Sequence, residues 1–367
     1  FALRRIDLSG EAQAEERARE IADREAAAPF DLARPPLLRA TLVTLGPRRA
    51  VFLFTMHHII GDGWSGNVLY REVFALYAAA RRGAPDPLPP LRIHYKDFAV
   101  WQKARGFARD EAHWRRQLAG VPEALALPYD FPPGAERDFR GDHGQAEIEA
   151  SVTDGLRRMA RAKQTTLANV VLAVFELLLF QLTKQEDLCL GVSVANRSQA
   201  DLEHLIGFFV NILPVRTRLH DAMEFDELLA QVIAAAEDAL EHQDYPFDLL
   251  VQHVNPHRST NRQPLVNVIY AFQNFADVHV AAAGTAPAGE GATVDELSPT
   301  RAFEHAFKTS KFDLTLFVSE EQGRLHLTLE YDTGLFRAET IRRQLGRLQR
   351  FAAMVAATAP AANEISR

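Results

Sequence analysis

The run Val51-Phe52-Leu53-Phe54-Thr55-Met56 passes without a gap into His57-His58-Ile59-Ile60-Gly61-Asp62-Gly63-Trp64-Ser65. An apolar, aromatic and β-branched stretch of this length reads as a strand. Ser65 offers a capping hydroxyl to a helix running through Tyr77, with Val68, Leu69, Val73, Leu76 and Tyr77 on one side. A strand, a Gly-rich turn and an amphipathic helix in direct succession require a sheet layer packed on a helix layer. The same order places two titratable imidazoles at a sheet edge, within reach of a substrate.

The rest of the chain keeps this mixture. Phe1 to Leu8 alternates like a strand, and Ala12 to Ala28 is an Ala/Glu/Arg-rich helix ended by Pro29. Leu37 to Leu45 and Ala50 to Met56 pair across Gly46-Pro47. A Pro-rich loop over 81–90 precedes helices at His94 to Phe107 and Asp110 to Leu118. Pro122, Pro128, Pro132 and Pro133 mark a change of composition before a strand at Gln145 to Glu149. Helices follow at Val152 to Lys163, Leu167 to Leu182 and Phe225 to His242. Strands are expected at Asp187 to Ala195 and Leu265 to Phe272, with a hairpin of Phe312 to Val318 and Arg324 to Tyr331. Arg337 to Ala357 is a closing helix, and the Ala/Gly/Pro-rich 281–291 reads as mobile. The expected class is α/β, in α+β layers. The expected division is a first lobe over 1–130, a linker over 131–144 and a second lobe over 145–367.

A chain of 367 residues exceeds one ordinary core. The formal net charge is -7 with no long Lys/Arg cluster, which argues against nucleic acid. The apolar stretch Leu167 to Leu182 is short for a membrane span and carries Asn169, Glu176 and Gln181, so it reads as a buried helix. Cys189 is the lone cysteine, which excludes an internal disulfide and suits a reducing cytoplasm.

In a strand, neighbouring side chains face opposite ways, so one of His57 and His58 is expected to point inward and the other into a cleft. An imidazole titrates near neutrality and can take a proton from an amine or hydroxyl. Asp62 either orients a histidine or holds the loop through a buried arginine. A backbone N–H in the Gly63 region can face a developing oxyanion. Three readings compete: a satisfied core pair, a two-ligand metal site, and acid/base catalysis of acyl transfer. Adjacent strand histidines chelate one ion poorly, and no Cys/His cluster completes a site. There is no Gly-x-Ser-x-Gly elbow, and Cys189 lies in an apolar strand, so direct transfer between two bound substrates is favoured over an acyl-enzyme.

His57 to Ser65 resembles the His-His-x-x-x-Asp-Gly signature of non-ribosomal peptide synthetase condensation domains, of the chloramphenicol acetyltransferase-like superfamily. Further segments match family blocks in order: Tyr95 to Trp101, Ile206 to Arg216, His242 to Asp248 and, loosely, Arg258 to Leu265. Gly61, Ile212 and Asp248 stand where serine, threonine and glutamate are common. The family's first two blocks are not found, so the first lobe is expected to lack its N-terminal part.

The resemblance implies two acetyltransferase-like lobes in a V with a central tunnel. It implies amide formation between a carrier-bound donor thioester and a carrier-bound acceptor amine, with L-donor to L-acceptor stereochemistry. His58 is the expected base, with His57 and the Gly63 region beside it. Asp62 is expected in a structural ion pair with Arg216, Arg197 being the alternative. Trp64, Ser65 and Asn211 are expected to contact substrate. No cofactor is bound directly; 4'-phosphopantetheine arrives on partner carrier proteins, and an adenylation domain is an expected neighbour. Trp64-Ser65 after Asp-Gly argues against epimerisation, and intact histidines against heterocyclisation. The alternatives are a free-standing acyl-CoA-dependent acyltransferase and a non-catalytic carrier-docking module.

Overall fold

A computed structural model describes residues 1–254, 263–273 and 308–360. The expected mobile stretch 281–291 and most of the block from Arg258 to Leu265 lie outside the described residues. The described chain is a mixed α/β fold with two sheets, and it divides into two units.

The first unit holds residues 1–105 and a returning segment, Arg197–Phe209. Its sheet has the order β1-β2-β3, formed by β1 (Arg4–Asp7), β2 (Leu38–Gly46) and β3 (Arg49–Met56). β1 runs parallel to β2, and β2 antiparallel to β3 with Leu38 opposite Met56. Helix α1 (Ala14–Ala27) covers the sheet, burying Ala18 and Ile21 with Val43 and Val51. Arg39 on β2 donates to the carbonyls of Glu25 and Ala28, partners that the last turn of α1 otherwise lacks. Helix α2 (Gly63–Arg82) ends at Gly83, whose φ of 65° is the left-handed conformation glycine adopts without strain. Helix α3 (Tyr95–Ala104) packs Phe98 against Leu202, Leu205 and Phe209 of the returning segment.

The second unit has a six-stranded sheet in the order β4-β9-β8-β7-β5-β6. The strands are β4 (Gly141–Ile148), β5 (Asp187–Val194), β6 (Asn211–Arg218), β7 (Val268–Gln273), β8 (Leu314–Glu321) and β9 (Arg324–Asp332). β8 and β9 are the expected hairpin, turning at Gln322 and Gly323, whose φ values of 49° and 79° suit a tight two-residue connection. Its helices are α4 (Ala108–Gln117), α5 (Ala150–Ala162), α6 (Leu167–Thr183), α7 (Phe225–Glu241), α8 (Phe247–Val254) and α9 (Ala338–Ala357). Val170 to Phe180 of α6 is buried on nearly every side, which is why its sequence is apolar all round. Among the described residues no single helix is long and apolar enough to cross a membrane; α5 and α6 together meet length and composition but bend by 108°.

The unit boundary falls at Arg105/Gly106, whereas the sequence expectation ended the first lobe at 130. The reason is packing: Trp114, Leu118, Leu125 and Leu127 lie in the core of the second unit. Arg137, within the expected linker, is buried between Asp313 at 3.0 Å and Asp332 at 3.2 Å. β4 also begins at Gly141, inside that stretch, and two further elements, β6 and α8, were not expected.

Candidate active site

β3 ends at Met56, and the chain turns through a short 3-10 helix, His58–Ile60, into α2. The two histidines are separated by this turn rather than by strand alternation. His57 caps it: its Nδ1 accepts the Ile59 N–H at 3.1 Å, and its ring meets the Phe30 ring edge-on at 5.9 Å. His58 opens the 3-10 turn and is exposed, with its ring 5.2 Å from that of Phe208 at 85°. His57 is thus a structural cap and His58 the imidazole that faces outward.

Asp62, and not Ser65, caps α2. Its Oδ1 accepts the Ser65 N–H at 2.8 Å. Its Oδ2 accepts the Phe209 N–H at 2.9 Å. The ion pair expected with Arg216 is made with Arg197, at 3.2 Å, with side-chain exposures of 1% for Arg197 and 3% for Asp62. Arg216 instead holds Asp187 through two bonds of 2.8 and 2.6 Å and reaches the carbonyls of Gln117, Ala119 and Gly120. Asp187 sits diagonally across the β5–β6 ladder from Arg216, so that pairing is local to the second unit's sheet. Burial alone would push the Asp62 carboxyl up, but the N–H donors of Ser65 and Phe209, the Ser65 hydroxyl and the Arg197 charge outweigh it and hold the pKa below its usual value.

Arg197 is the hub of the returning segment. It donates to the carbonyls of Leu202 and Leu205, to Asp62 and to Ser65 Oγ at 3.0 Å, and stacks 4.1 Å over the Phe209 ring. Ser65 is fully buried, with Oγ accepting the Gly207 N–H at 3.0 Å and lying 2.7 Å from both Asp62 Oδ1 and the Gly207 carbonyl. Trp64 donates its indole N–H to the Glu203 carbonyl at 2.8 Å. Trp64 and Ser65, the residues expected to contact substrate, thus both bond the returning segment. Gly207 is glycine because a Cβ there would collide with the Tyr95 ring. Tyr95, the first residue of α3, also donates from Oη to the Phe208 carbonyl at 2.9 Å. Asn211 lies in the second unit, where its amide protons go to the Gln243 and Tyr245 carbonyls and its oxygen accepts the Phe247 N–H at the start of α8. That is a capping role for the start of α8.

The Asp62 carboxylate is engaged by Ser65, Phe209 and Arg197, so in the His58-x-x-x-Asp62 pair the aspartate serves the fold. Elsewhere His113, Asp238 and His242 approach one another. The rings of His113 and His242 stack at 3.8 Å and 15°, so their in-plane lone pairs do not converge, and His242 Nδ1 is 2.7 Å from Asp110. Cys189 is buried and its thiol is pushed up to about 12, which makes it inert as a nucleophile.

The family model described as Condensation domain matches residues 1–364. The chain belongs to the condensation domain family. This condensation domain is 38% identical over 339 residues to chondramide synthase cmdD of Chondromyces crocatus, covering 91% of this chain and 8% of that protein. It is 36% identical over 351 residues to malpinin synthetase of Mortierella alpina, covering 94% of this chain and 4% of the relative. It thus spans less than a tenth of the length of these relatives. The fold is that of the teicoplanin biosynthesis X-domain, with a TM-score of 0.85 at 24% identity, covering 98% of this chain and 79% of that one. The first condensation domain of the CDA synthetase matches with a TM-score of 0.73 at 22% identity, covering 98% of this chain and 76% of the other.

Proposed function

We propose that this condensation domain forms an amide bond between a donor acyl thioester and an acceptor amine, each carried on a phosphopantetheine arm of a partner carrier protein. The observation that carries the reading is His58: an exposed imidazole at the end of β3, on a turn fixed by Asp62, Ser65 and Arg197. The amine nitrogen attacks the thioester carbonyl carbon, the C–S bond breaks, and the thiol leaves. His58 takes the proton from the amine and returns it to the departing sulfur. Gly63 is the first residue of α2, where an N–H has no acceptor within the helix, and a Cβ there would meet nothing within 4 Å. That N–H is our candidate for the developing oxyanion. Both arms deliver their ends to one point, so proximity supplies much of the rate.

The L-donor to L-acceptor type and an adjacent adenylation domain belong to the same proposal. The first is supported by the likeness of the blocks at Tyr95 to Trp101, Ile206 to Arg216 and His242 to Asp248, the second by the great length of the relatives. A cytoplasmic setting fits the buried, reduced Cys189.

The test is single-turnover amide formation with a donor-loaded and an acceptor-loaded carrier protein. His58→Ala is expected to lower the rate by about a hundredfold or more without unfolding the chain. An unchanged rate in His58→Ala would remove the base from the mechanism. Product from a CoA thioester in place of the donor carrier would favour a free-standing acyltransferase. The likeness to the X-domain, whose complex with OxyB from teicoplanin biosynthesis matches with a TM-score of 0.84, favours a docking module as second reading. Carrier binding with no amide product from the parent chain would support it.

A further inference from the structure

Three consecutive residues of the returning segment are tied to the signature and to α3 by their backbone. Gly207 gives its N–H to Ser65 Oγ and lies with its carbonyl 2.7 Å from the same oxygen. The Phe208 carbonyl accepts from Tyr95 Oη. The Phe209 N–H donates to Asp62. A backbone held at three successive residues fixes the direction in which the middle side chain leaves it. For Phe208 that direction is toward His58: the rings are 5.2 Å apart and 85° between planes. This is a favoured aromatic geometry. Yet Phe208 is 41% exposed, although the neighbouring Phe209 is only 2% exposed and lies in a core cluster. Phe208 therefore adds little to the core; its described aromatic contact is the His58 ring.

We propose that Phe208 is a positioning residue for His58, holding the imidazole in the orientation that presents its basic nitrogen to the acceptor amine. This rests on the reading of His58 as the base. Rotation of a histidine about its two χ angles re-aims both ring nitrogens, and a misplaced base loses rate steeply. A ring standing across the imidazole removes part of that freedom. Because the ring is delivered by backbone bonds to Asp62 and Ser65, the ion pair under the turn and the aim of the base are set by one segment.

The experiment is a double-mutant cycle on single-turnover amide formation at saturating carriers, with Phe208→Ala, Phe208→Leu, His58→Ala and the Phe208→Ala/His58→Ala pair. Phe208→Ala is expected to slow the chemical step about three- to tenfold, with unchanged melting temperature and unchanged carrier concentration at half-maximal rate. Phe208→Leu restores bulk without a ring and is expected to remain slow, and Phe208→Tyr to recover. In the His58→Ala background the Phe208 substitution is expected to have no further effect. Parent-like rates in Phe208→Ala overturn the proposal, as does an equal slowing with and without His58. A His58→Ala variant that keeps the parent rate instead overturns the base reading itself, which the cycle reports separately. If Phe208→Ala unfolds, the Phe208→Leu variant reads the same comparison.

Discussion

Arg197 Nη2 lies 3.2 Å from Asp62 Oδ1, although the two residues are 135 positions apart in sequence, and both side chains are almost fully buried. The pair joins the N-cap of α2 to the returning segment 197–209. Breaking it leaves a buried charge with no counterion. Asp62→Ala or Arg197→Ala is expected to destabilise the chain by roughly 3–5 kcal/mol in denaturant unfolding. The double variant should lose less than the sum of the two, because each single change has already broken the same bond. Additive losses would mean the two residues act apart.

The same pair sets a response to acid. The Asp62 carboxyl has a folded pKa below its unfolded value, so its contribution is present above the unfolded pKa and is lost as pH falls toward the folded one. Unfolding followed downward from about pH 5 is expected to show a steeper stability loss in the parent than in Asp62→Asn. Parallel curves for the two chains would contradict this.

Glu176 gives a slope of opposite sign. It is fully buried in α6, accepts the Thr217 hydroxyl at 2.6 Å, and burial pushes its pKa up to about 8. The folded chain keeps the proton where the unfolded chain releases it near pH 4.5, so stability falls as pH rises between those values. Glu176→Gln is expected to flatten that fall, measured as unfolding free energy at several pH values. A parent with no such fall would place the carboxyl in a different charge state.

Gly207→Ala tests the close approach to Tyr95. The added methyl would run into the Tyr95 ring and lie 2.8 Å from that of Phe209. Overpacking of this kind costs about 1–3 kcal/mol. Tyr95→Leu in the same chain should recover part of the loss by vacating the ring's space. No recovery would mean that the clash lies elsewhere.

The local architecture was readable in the sequence because it rests on local pattern. Apolar and β-branched runs bounded by turn residues identified β2, β3 and the β8–β9 hairpin, and a longer apolar run identified α6. Partner choice was not readable in the same way. Asp62 faces two candidate arginines, Arg197 and Arg216, and nothing within a few residues of either says that Arg216 is engaged by Asp187 beside it in the sheet. The hydroxyl of Ser65 looked like a cap because serine favours that place, but Asp62, three residues earlier, takes it and leaves Ser65 to the returning segment. The 131–144 stretch looked like a linker from its prolines. The buried Arg137, held by Asp313 and Asp332, is visible only once the hairpin is folded.

One consequence concerns where this chain can be cut. The carboxylate that starts α2 is emitted early, but its N–H and guanidinium partners come from Phe209 and Arg197, which the second unit's strands β5 and β6 bracket. A fragment ending at Arg105 would carry the whole signature and still leave Asp62 and Ser65 without those donors. During synthesis the turn that bears His58 stays unfinished until Phe209, 147 positions after Asp62, has been added, a non-local closure of the kind that slows folding. Exchange of the first hundred residues between related synthetases would therefore transplant the motif without its lock, and a functional graft has to carry the 197–209 segment with it.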